Sequence, residues 1–365
     1  MSKNNKLTIV SAVLISSVLI SGCSLLGDKE KVDPPQTTSY EDDAVKENAD
    51  KETAGEVATE DAMPIELYLM DKYGYVVPQT LNLPKTNSIA KESLEYLVKG
   101  GKVSEMLPND FQAVIPQDTK ISINVDEDKV ATVDFSNEFK EYEAKDEEKI
   151  LQSITWTLTQ FDSIDAVKLS LNGHELTEMP VNKTPIQGAL TRADGINVNT
   201  DDVTDITNTK PLTVYYIGGD LDSYYYVPVT KRVSNAEENN VAAAVGELIE
   251  GPGMGGATAL TSLLPNDVKL LDKPVVEDGK VTLNFNENIY SSGLNGEEKV
   301  LADEVLNSLV LSLTEQEGIE SVSVTVNGEG YVRGKSKTDM RLTAMVIKSE
   351  ELAPELMMPL IAKPT

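Results

Sequence analysis

One stretch of the sequence occurs twice, and this duplication constrains the fold more than any other feature. Residues 148–173 and 303–328 align without a gap over 26 positions, at a constant offset of 155. The identical pairs run through both copies and include Leu151/Leu306, Ser153/Ser308, Leu158/Leu313, Thr159/Thr314, Ile164/Ile319, Val167/Val322 and Asn172-Gly173/Asn327-Gly328. A unit repeated at this distance indicates two copies of one domain.

The periodicity inside the repeated stretch predicts a helix, a strand and a turn. Apolar residues recur at steps of three and four from Ile150 to Phe161, which is typical of one buried helix face. Residues 167–171 then alternate apolar and polar side chains, as in a half-buried strand. Asn172-Gly173 follows as a strong tight-turn signal, because both residues accept a positive φ.

Further matches extend the duplication over most of the chain. The segment 107–110 (Leu-Pro-Asn-Asp) recurs as 264–267, and 131–135 is answered by 281–285. We predict a first domain over 63–174, an interdomain linker over 175–210, a second domain over 211–332 and a C-terminal tail over 333–365. Each domain has the predicted order β-α-β-β-α-β, which indicates an α+β fold: two tandem copies of a two-layer sandwich with its helices on one face of the sheet.

Composition excludes several functional classes. The net charge is −28. A surface this acidic repels nucleic-acid phosphates, so we expect no nucleic-acid partner. The chain has one cysteine, Cys23, and one histidine, His174. This inventory excludes an intrachain disulfide, a redox cysteine pair and a Cys/His zinc cluster. The acidic run 124–128 lacks the glycine and the later glutamate of a calcium loop, so we expect no metal and no cofactor.

The first 22 residues have the features of a lipoprotein signal peptide. Lys3 and Lys6 precede an apolar core from Leu7 to Ile20, which is shorter than the roughly 20 residues of a spanning helix. Leu19, Ile20, Ser21 and Gly22 then lead to Cys23 and resemble the lipobox of bacterial lipoproteins. We predict that the Cys23 thiol carries the lipid, with several acyl chains giving a stable membrane anchor. The alternative is an ordinary signal peptide with a chance cysteine.

The segment from Cys23 to residue 62 has the composition of a flexible acidic tether. It is rich in Asp, Glu, Lys, Thr and Ala, with few large apolar residues that could offset the entropy of ordering. A flexible chain of this length would reach roughly 35 Å from the membrane.

None of the candidate catalytic motifs lies in the structural context that its chemistry requires. Residues 251–256 match GxGxxG, but they follow a predicted helix, whereas a dinucleotide-binding loop must follow a strand. His174 is the only imidazole available as a base, and it sits just past a turn, as a surface histidine would. Glu147 and Glu148 open a helix, where negative charge favours the helix dipole. Trp156 corresponds to Leu311 and is therefore predicted to lie in the core. We predict no catalytic residue.

These residues together resemble a known family. The lipobox, the acidic tether, the Leu-Pro-Asn-Asp segments, Val-Asp-Phe at 133–135 and the run 156–165 look like sporulation and germination lipoproteins with two tandem GerMN domains, found in endospore-forming Bacillus relatives. The resemblance covers roughly residues 1–330. GerMN domains are similar to the ring-building modules of secretion-type assemblies, which implies side-by-side packing and makes a homo-oligomer a further expectation.

The resemblance implies a non-enzymatic role in assembly. Such a protein would be anchored in the mother-cell membrane, face the forespore, and help to assemble or localise the transenvelope channel complex through contacts with other envelope proteins. We considered Tyr224, Tyr225 and Tyr226 as one candidate partner-binding edge. The alternative for these tyrosines is that they simply line the second strand of the repeat.

Two other functions stay open from the residues alone. The many carboxylates would suit an enzyme that acts on spore peptidoglycan. A solute-binding lipoprotein of a transporter would need a ligand cleft between two lobes that the chain crosses more than once, and two sequential, self-contained repeats argue against it.

Overall fold

The computed structural model describes residues 62–107, 110–199, 206–220, 223–237, 239–253, 259–290, 300–336 and 347–348. All of them lie within one compact unit, Val57–Thr365. The predicted signal peptide, the lipobox with Cys23, and the tether up to residue 61 lie outside the described residues. Among the described helices, none is long and apolar enough to cross a membrane.

The first repeat contains two small sheets and two helices. Its elements in order are β1 (Ala62–Asp71), β2 (Val76–Pro84), α1 (Ile89–Tyr96), β3 (Phe111–Gln112), β4 (Ile121–Val125), β5 (Val130–Phe135), α2 (Glu147–Leu158), β6 (Ala166–Leu171) and β7 (His174–Glu175). One sheet has the strand order β2-β1-β3 and the other β4-β5-β6-β7. The β5–β6 pair is parallel, because α2 carries the chain across between these two strands.

The second repeat follows the same plan. Its elements are β8 (Thr209–Asp220), β9 (Ser223–Ser234), α3 (Asn240–Glu250), β10 (Val275–Glu277), β11 (Lys280–Phe285), α4 (Asp303–Thr314), β12 (Ser321–Val326) and β13 (Glu329–Ser336). One sheet pairs β8 with β9 in antiparallel fashion, and the other has the order β10-β11-β12-β13, with β11 and β12 parallel. From the predicted tail, β13 extends to Ser336, and a two-residue strand, β14 (Ile347–Lys348), pairs with β9.

The duplicated helix, strand and turn are confirmed. Strands β6 and β12 are offset by 155 residues at both ends, and α2 and α4 are each 12 residues long. Both turns have the predicted geometry, with φ of 50° at Asn172, 77° at Gly173, 52° at Asn327 and 71° at Gly328. A side chain at Gly173 or Gly328 would strain this left-handed backbone.

The α+β class is confirmed, but the order of elements within each repeat needs a correction. In the first repeat, the chain returns after β1 to form β2, so the first element is a hairpin that pairs Met70 with Val76 at its closed end. This gives two sheets per repeat where one was expected. The sequence of β2 hides the strand because Pro78 and Pro84 lie within it, and proline is rare inside strands.

Hydroxyl groups on α2 and α4 hydrogen-bond each helix to the first strand of its repeat. The Ser153 hydroxyl donates to the carbonyl of Tyr68, and the amide of Tyr68 donates to Thr157 Oγ1 at 3.1 Å. In the second repeat, the Ser308 hydroxyl donates to the carbonyl of Tyr215 at 2.7 Å, and the amide of Tyr215 donates to Ser312 Oγ at 2.9 Å. These side chains satisfy buried strand groups that would otherwise lack partners.

Candidate functional site at the junction of the repeats

The chain between the repeats is packed against both of them. We call residues 176–199 the connector. Leu190 exchanges two backbone hydrogen bonds with Val167 of the first repeat, at 2.7 and 2.8 Å. Thr230 on β9 of the second repeat donates its amide to Ile196 at 2.8 Å and accepts from the amide of Asn199 at 2.9 Å. The connector therefore contacts the first repeat through Leu190 and the second repeat through Ile196 and Asn199.

Asn197 links the two repeats directly through its side chain. Its Oδ1 accepts from the amide of Val76 at 2.9 Å, and its Nδ2 donates at 2.8 Å both to the carbonyl of Val76 and to that of Pro228. Asn197 is buried, with φ of 47°. Asparagine tolerates this left-handed conformation better than most residues, so both backbone and side chain suit the position.

Arg192 forms the charged part of the junction. Its Nη1 lies 2.8 and 3.0 Å from the two carboxylate oxygens of Glu315, in the second repeat, and its Nε donates to Thr159 Oγ1, in the first, at 3.1 Å. The guanidinium carbon lies 4.3 Å from the ring of Trp156, within cation–π range. The Glu315 side chain is only 8% exposed, so the arginine compensates a nearly buried charge.

A second polar contact crosses the junction from Asp71 to Tyr225. The tyrosine hydroxyl donates to Asp71 Oδ2 at 2.7 Å, while Oδ1 accepts from the amides of Tyr73 and Tyr75 at 2.9 and 2.8 Å. Burial raises the pKa of Asp71 above its usual range. Burial and the contact with Asp71 also raise the pKa of Tyr225, so its hydroxyl keeps the proton that it donates. The Tyr225 ring packs edge-on against Phe111, 4.9 Å away.

Glu147, at the start of α2, holds the first half of the connector in place. Its carboxylate accepts from the amides of Val181 (2.9 Å), Asn182 (2.5 Å) and Thr184 (3.1 Å), and from the hydroxyls of Thr184 (2.6 Å) and Tyr142 (2.8 Å). Burial alone would raise the pKa of Glu147, but the hydrogen bonds from Thr184, Asn182 and Tyr142 outweigh it and lower the pKa. The corresponding residue in the second repeat is Ala302.

Glu147→Gln should lower the free energy of unfolding by about 2–3 kcal/mol at pH 7, because an amide cannot accept all of these bonds and its NH₂ group faces donors. The folded-state pKa of Glu147 lies below the ordinary value of 4.5. The stabilisation is therefore full above about pH 4.5 and is lost as the pH falls through the folded-state value. Urea unfolding at several pH values checks this, and the difference from wild type should shrink toward pH 3.

The matched control is Glu148→Gln, the same change at the next residue, whose side chain is exposed. It should change stability by less than about 0.5 kcal/mol. Equal losses for the two variants would contradict the role assigned to Glu147.

A groove runs between α2 and the connector. We call it the connector groove; its volume is about 400 Å³. Its lining combines two carboxylates (Glu148 and Asp194), four uncharged polar side chains (Gln152, Thr155, Gln187, Thr191), apolar residues (Leu151, Pro185, Leu190, Val198) and Gly195. None of these lining residues is a lysine or an arginine.

The three tyrosines considered as a partner-binding edge lie in the interior. Tyr224, Tyr225 and Tyr226 are 3%, 4% and 6% exposed. The rings of Tyr224 and Tyr226 pack against each other at 6.1 Å, and β14 pairs with Tyr224 through Ile347. The structure corrects the expectation that their side chains face a partner, because aromatic rings gain more from this burial than from exposure.

The other residues singled out from the sequence have structural positions. His174 is exposed beside the Asn172-Gly173 turn, and Trp156 is 1% exposed. Among the described residues, no group of three or more His, Cys, Asp or Glu side chains could hold a metal ion. Cys23 and the lipobox residues 19–22 lie outside the described residues, so the lipid anchor stays a prediction.

The residues that build the junction were missed by the sequence analysis. Arg192 and Asn197 lie in a segment without periodicity, and their partners are 123 and 121 residues away. One signal was available in the comparison of the repeats. Gln160 corresponds to Glu315, so an acid in the second copy replaces a neutral amide in the first, and an acid that becomes buried requires a cation. Only four arginines occur in the chain, so Arg192 could have been proposed as that cation.

Comparison with known proteins places this architecture in a family. The family described as "Germane: Sporulation and spore germination" matches residues 66–177 and 213–332, one match for each repeat. The spore germination protein GerM of Bacillus subtilis (strain 168) is 50% identical over 343 residues, which covers 90% of this chain and 93% of that protein. A solved structure of the tandem GerMN domains of B. subtilis GerM is 55% identical and covers 74% of this chain and 92% of its own, with a TM-score of 0.69. The chain belongs to the Germane family of sporulation and spore germination proteins, and it has the tandem GerMN architecture.

Proposed function

We propose that this protein is a non-enzymatic assembly factor of sporulation, anchored in the mother-cell membrane through a lipid on Cys23. It would help to assemble or localise the transenvelope channel complex between mother cell and forespore. The observation that carries this proposal is the junction, where Arg192, Asn197 and Tyr225 join two duplicated domains into one body. Such a body presents partner contacts at a fixed spacing, which lowers the entropy lost on assembly.

A non-enzymatic role is supported by what the shifted acids do. An acid poised for catalysis faces a cleft with unused hydrogen-bonding capacity. Asp71 instead accepts from two backbone amides and the Tyr225 hydroxyl, and Glu147 accepts five hydrogen bonds. Their pKa shifts therefore accompany structural roles.

Crosslinking and pull-down from sporulating cells tests the proposal. The chain should recover sporulation envelope proteins, and Arg192→Ala, which removes the charged contact of the junction, should recover fewer at equal chain abundance. Recovery of no envelope protein by the wild-type chain would overturn the proposal. Release of muropeptides from spore sacculi by the purified protein would support the peptidoglycan enzyme in its place.

Cys23→Ser should move the protein from the membrane to the soluble fraction, because the serine hydroxyl does not accept the lipid on which the proposed anchor depends. Fractionation followed by immunoblotting measures this. Ser21→Ala keeps a small residue before the cysteine and should leave the protein in the membrane. Retention of Cys23→Ser in the membrane fraction would refute the lipid anchor.

A further inference from the structure

We propose that strand β4 of the first repeat pairs edge to edge with β4 of a second copy of this chain. The strand lies at the end of its four-stranded sheet, with β5 as its neighbour on one side. Two copies related by a twofold axis at Ile123 would join their sheets into one continuous antiparallel pairing. The inference goes beyond the proposed function, since it concerns contacts between copies and not contacts with other envelope proteins.

The backbone of β4 presents hydrogen-bonding groups along its outer edge. Lys120 donates its amide to Ser136 Oγ at 2.9 Å and accepts at its carbonyl from the amide of Ser136 at 3.0 Å. At the other end of the strand, the amide of Asp126 donates to the carbonyl of Val130 at 3.1 Å. Because successive residues of an antiparallel strand alternate in the direction of these groups, the residues that direct theirs away from β5 are Ile121, Ile123 and Val125. Within the described part of the chain, no hydrogen bond outside the β4–β5 ladder involves these three residues.

A twofold axis at Ile123 pairs these groups with their own equivalents. It places Ile123 opposite Ile123 of the second copy, and Ile121 opposite Val125 in both directions. In each of these pairs the two residues exchange both of their backbone hydrogen bonds. An axis at Ser122 or at Asn124 would pair fewer residues of the strand, so the axis at Ile123 gives the longest ladder.

The side chains and charges suit a second copy in this register. Ser122 lies opposite Asn124 of the second copy, and both side chains are exposed and polar, so they can form cross-strand hydrogen bonds. Just beyond the strand ends, exposed Lys120 lies opposite exposed Asp126 of the second copy, and the twofold axis makes this ion pair twice. The other nearby acids lie in the turns that lead away from the strand: Asp118, Glu127 and Asp128.

The acidity of the whole chain does not prevent this contact. The net charge of −28 makes two copies repel each other at long range. At physiological ionic strength the Debye length is about 8 Å, so distant charges on the two surfaces are largely screened from each other. The opposite charges of Lys120 and Asp126 at the contact therefore decide its local electrostatics.

The second repeat shows the same edge in a form that does not favour pairing. Its equivalent strand, β10, has three residues, and Pro274 before it has no amide to donate. At the edge of the other sheet of the first repeat, β2 contains Pro78 and Pro84. Prolines, charges and short length on edge strands prevent association. Strand β4 has five residues and contains neither a proline nor a charged side chain.

Disulfide crosslinking in sporulating cells tests the register. Two differently tagged full chains are produced together, one with Ser122→Cys and the other with Asn124→Cys, and a mild oxidant is added. Directly opposite residues of this type have Cα atoms about 4.5 Å apart, which is within the range of a disulfide. We expect about fivefold more mixed-tag disulfide than when both chains carry Ser122→Cys. Val275→Cys in both chains, on the exposed edge strand β10, should give no more than the chain without an added cysteine.

A proline at the outer edge of β4 tests the backbone pairing. Val125→Pro removes an amide that faces away from β5, so the β4–β5 ladder is kept, and circular dichroism checks that the fold is retained. Sedimentation of the purified full chain in detergent should show self-association that Val125→Pro weakens about tenfold or more. Val276→Pro, at the equivalent position of β10, should leave the association unchanged. Mixed-tag disulfide that stays at background, or self-association that Val125→Pro does not weaken, would overturn the inference.

Pull-downs distinguish a second copy from another protein at this edge. If the copies do not crosslink but Val125→Pro recovers fewer envelope proteins than wild type, β4 binds a strand of another protein, and the inference fails while the proposed function stands. If the mixed-tag disulfide forms but the wild-type chain recovers no envelope protein, the proposed function fails while the pairing of two copies stands.

Discussion

Arg192→Ala is expected to lower the free energy of unfolding by about 3–5 kcal/mol, because it removes the cation from a nearly buried carboxylate, to which the Tyr215 hydroxyl also donates at 3.2 Å. Glu315 is 8% exposed, and its two oxygens lie 2.8 and 3.0 Å from Arg192 Nη1. The same change removes the donor to Thr159 and the cation that packs on Trp156. Urea unfolding followed by circular dichroism measures the loss.

Two controls test whether the loss of stability comes from the buried ion pair between Arg192 and Glu315. Lys129→Ala removes an ion pair with Asp165 whose side chains are 51% and 67% exposed, and it should cost at most about 1 kcal/mol. In a double-mutant cycle, Arg192→Ala with Glu315→Ala should cost less than the sum of the single changes, since the second removes the negative charge from which the first removed the cation. A loss of under about 1 kcal/mol for Arg192→Ala would show that the Arg192–Glu315 ion pair does not stabilise the junction.

Trp156→Ala is expected to lower the free energy of unfolding by about 3–5 kcal/mol, because it removes the largest buried side chain between α2 and the connector. The indole packs beside Tyr68, with ring centres 5.6 Å apart, and its Nε1 donates to the carbonyl of Gly195 at 3.3 Å. Trp156→Phe keeps most of the volume and should cost less. Circular dichroism is the measurement, since the chain has no other tryptophan to report by fluorescence.

The equivalent position in the second repeat supplies a matched control. Leu311 occupies it and is only partly buried. Leu311→Ala should therefore cost less than Trp156→Ala, although both remove a large side chain from the same place on the helix. A larger cost at Leu311 would mean that the junction does not depend on the Trp156 contact.

The sequence predicted the parts of the fold that are encoded locally. The repeated stretch specifies its helix by a period of 3.6, its strand by a period of 2 and its turn by Asn-Gly, and each signal is contained within a few residues. Because both copies carry the same signals, the helix, the strand and the turn are each supported by two stretches of sequence. The hairpin strand β2 was missed because Pro78 and Pro84 argue against a strand, although at the edge of a sheet proline need not give up a pairing bond.

The junction could not be predicted in the same way, because it is made by residues far apart in the chain. Asp71 and Tyr225 are separated by 154 residues, and nothing in either neighbourhood predicts the contact. One difference between the sequences of the two copies does point to a junction residue. Gln160 uses its amide to bind the backbone of Glu66 on β1, whereas its counterpart Glu315 binds Arg192. At this one position, the difference in charge between the copies coincides with a residue of the junction.

The measurement that bears most directly on the rigid junction is the distance between the repeats in solution. Spin labels at Glu127→Cys and Glu277→Cys, both exposed, can be placed in a Cys23→Ser background, because the chain has no other cysteine. Pulsed electron–electron double resonance should give a single narrow distribution of distances between the two labels, and Arg192→Ala should broaden it. A broad or two-peaked distribution in the chain that retains Arg192 would contradict the account, since it would show that the repeats move independently.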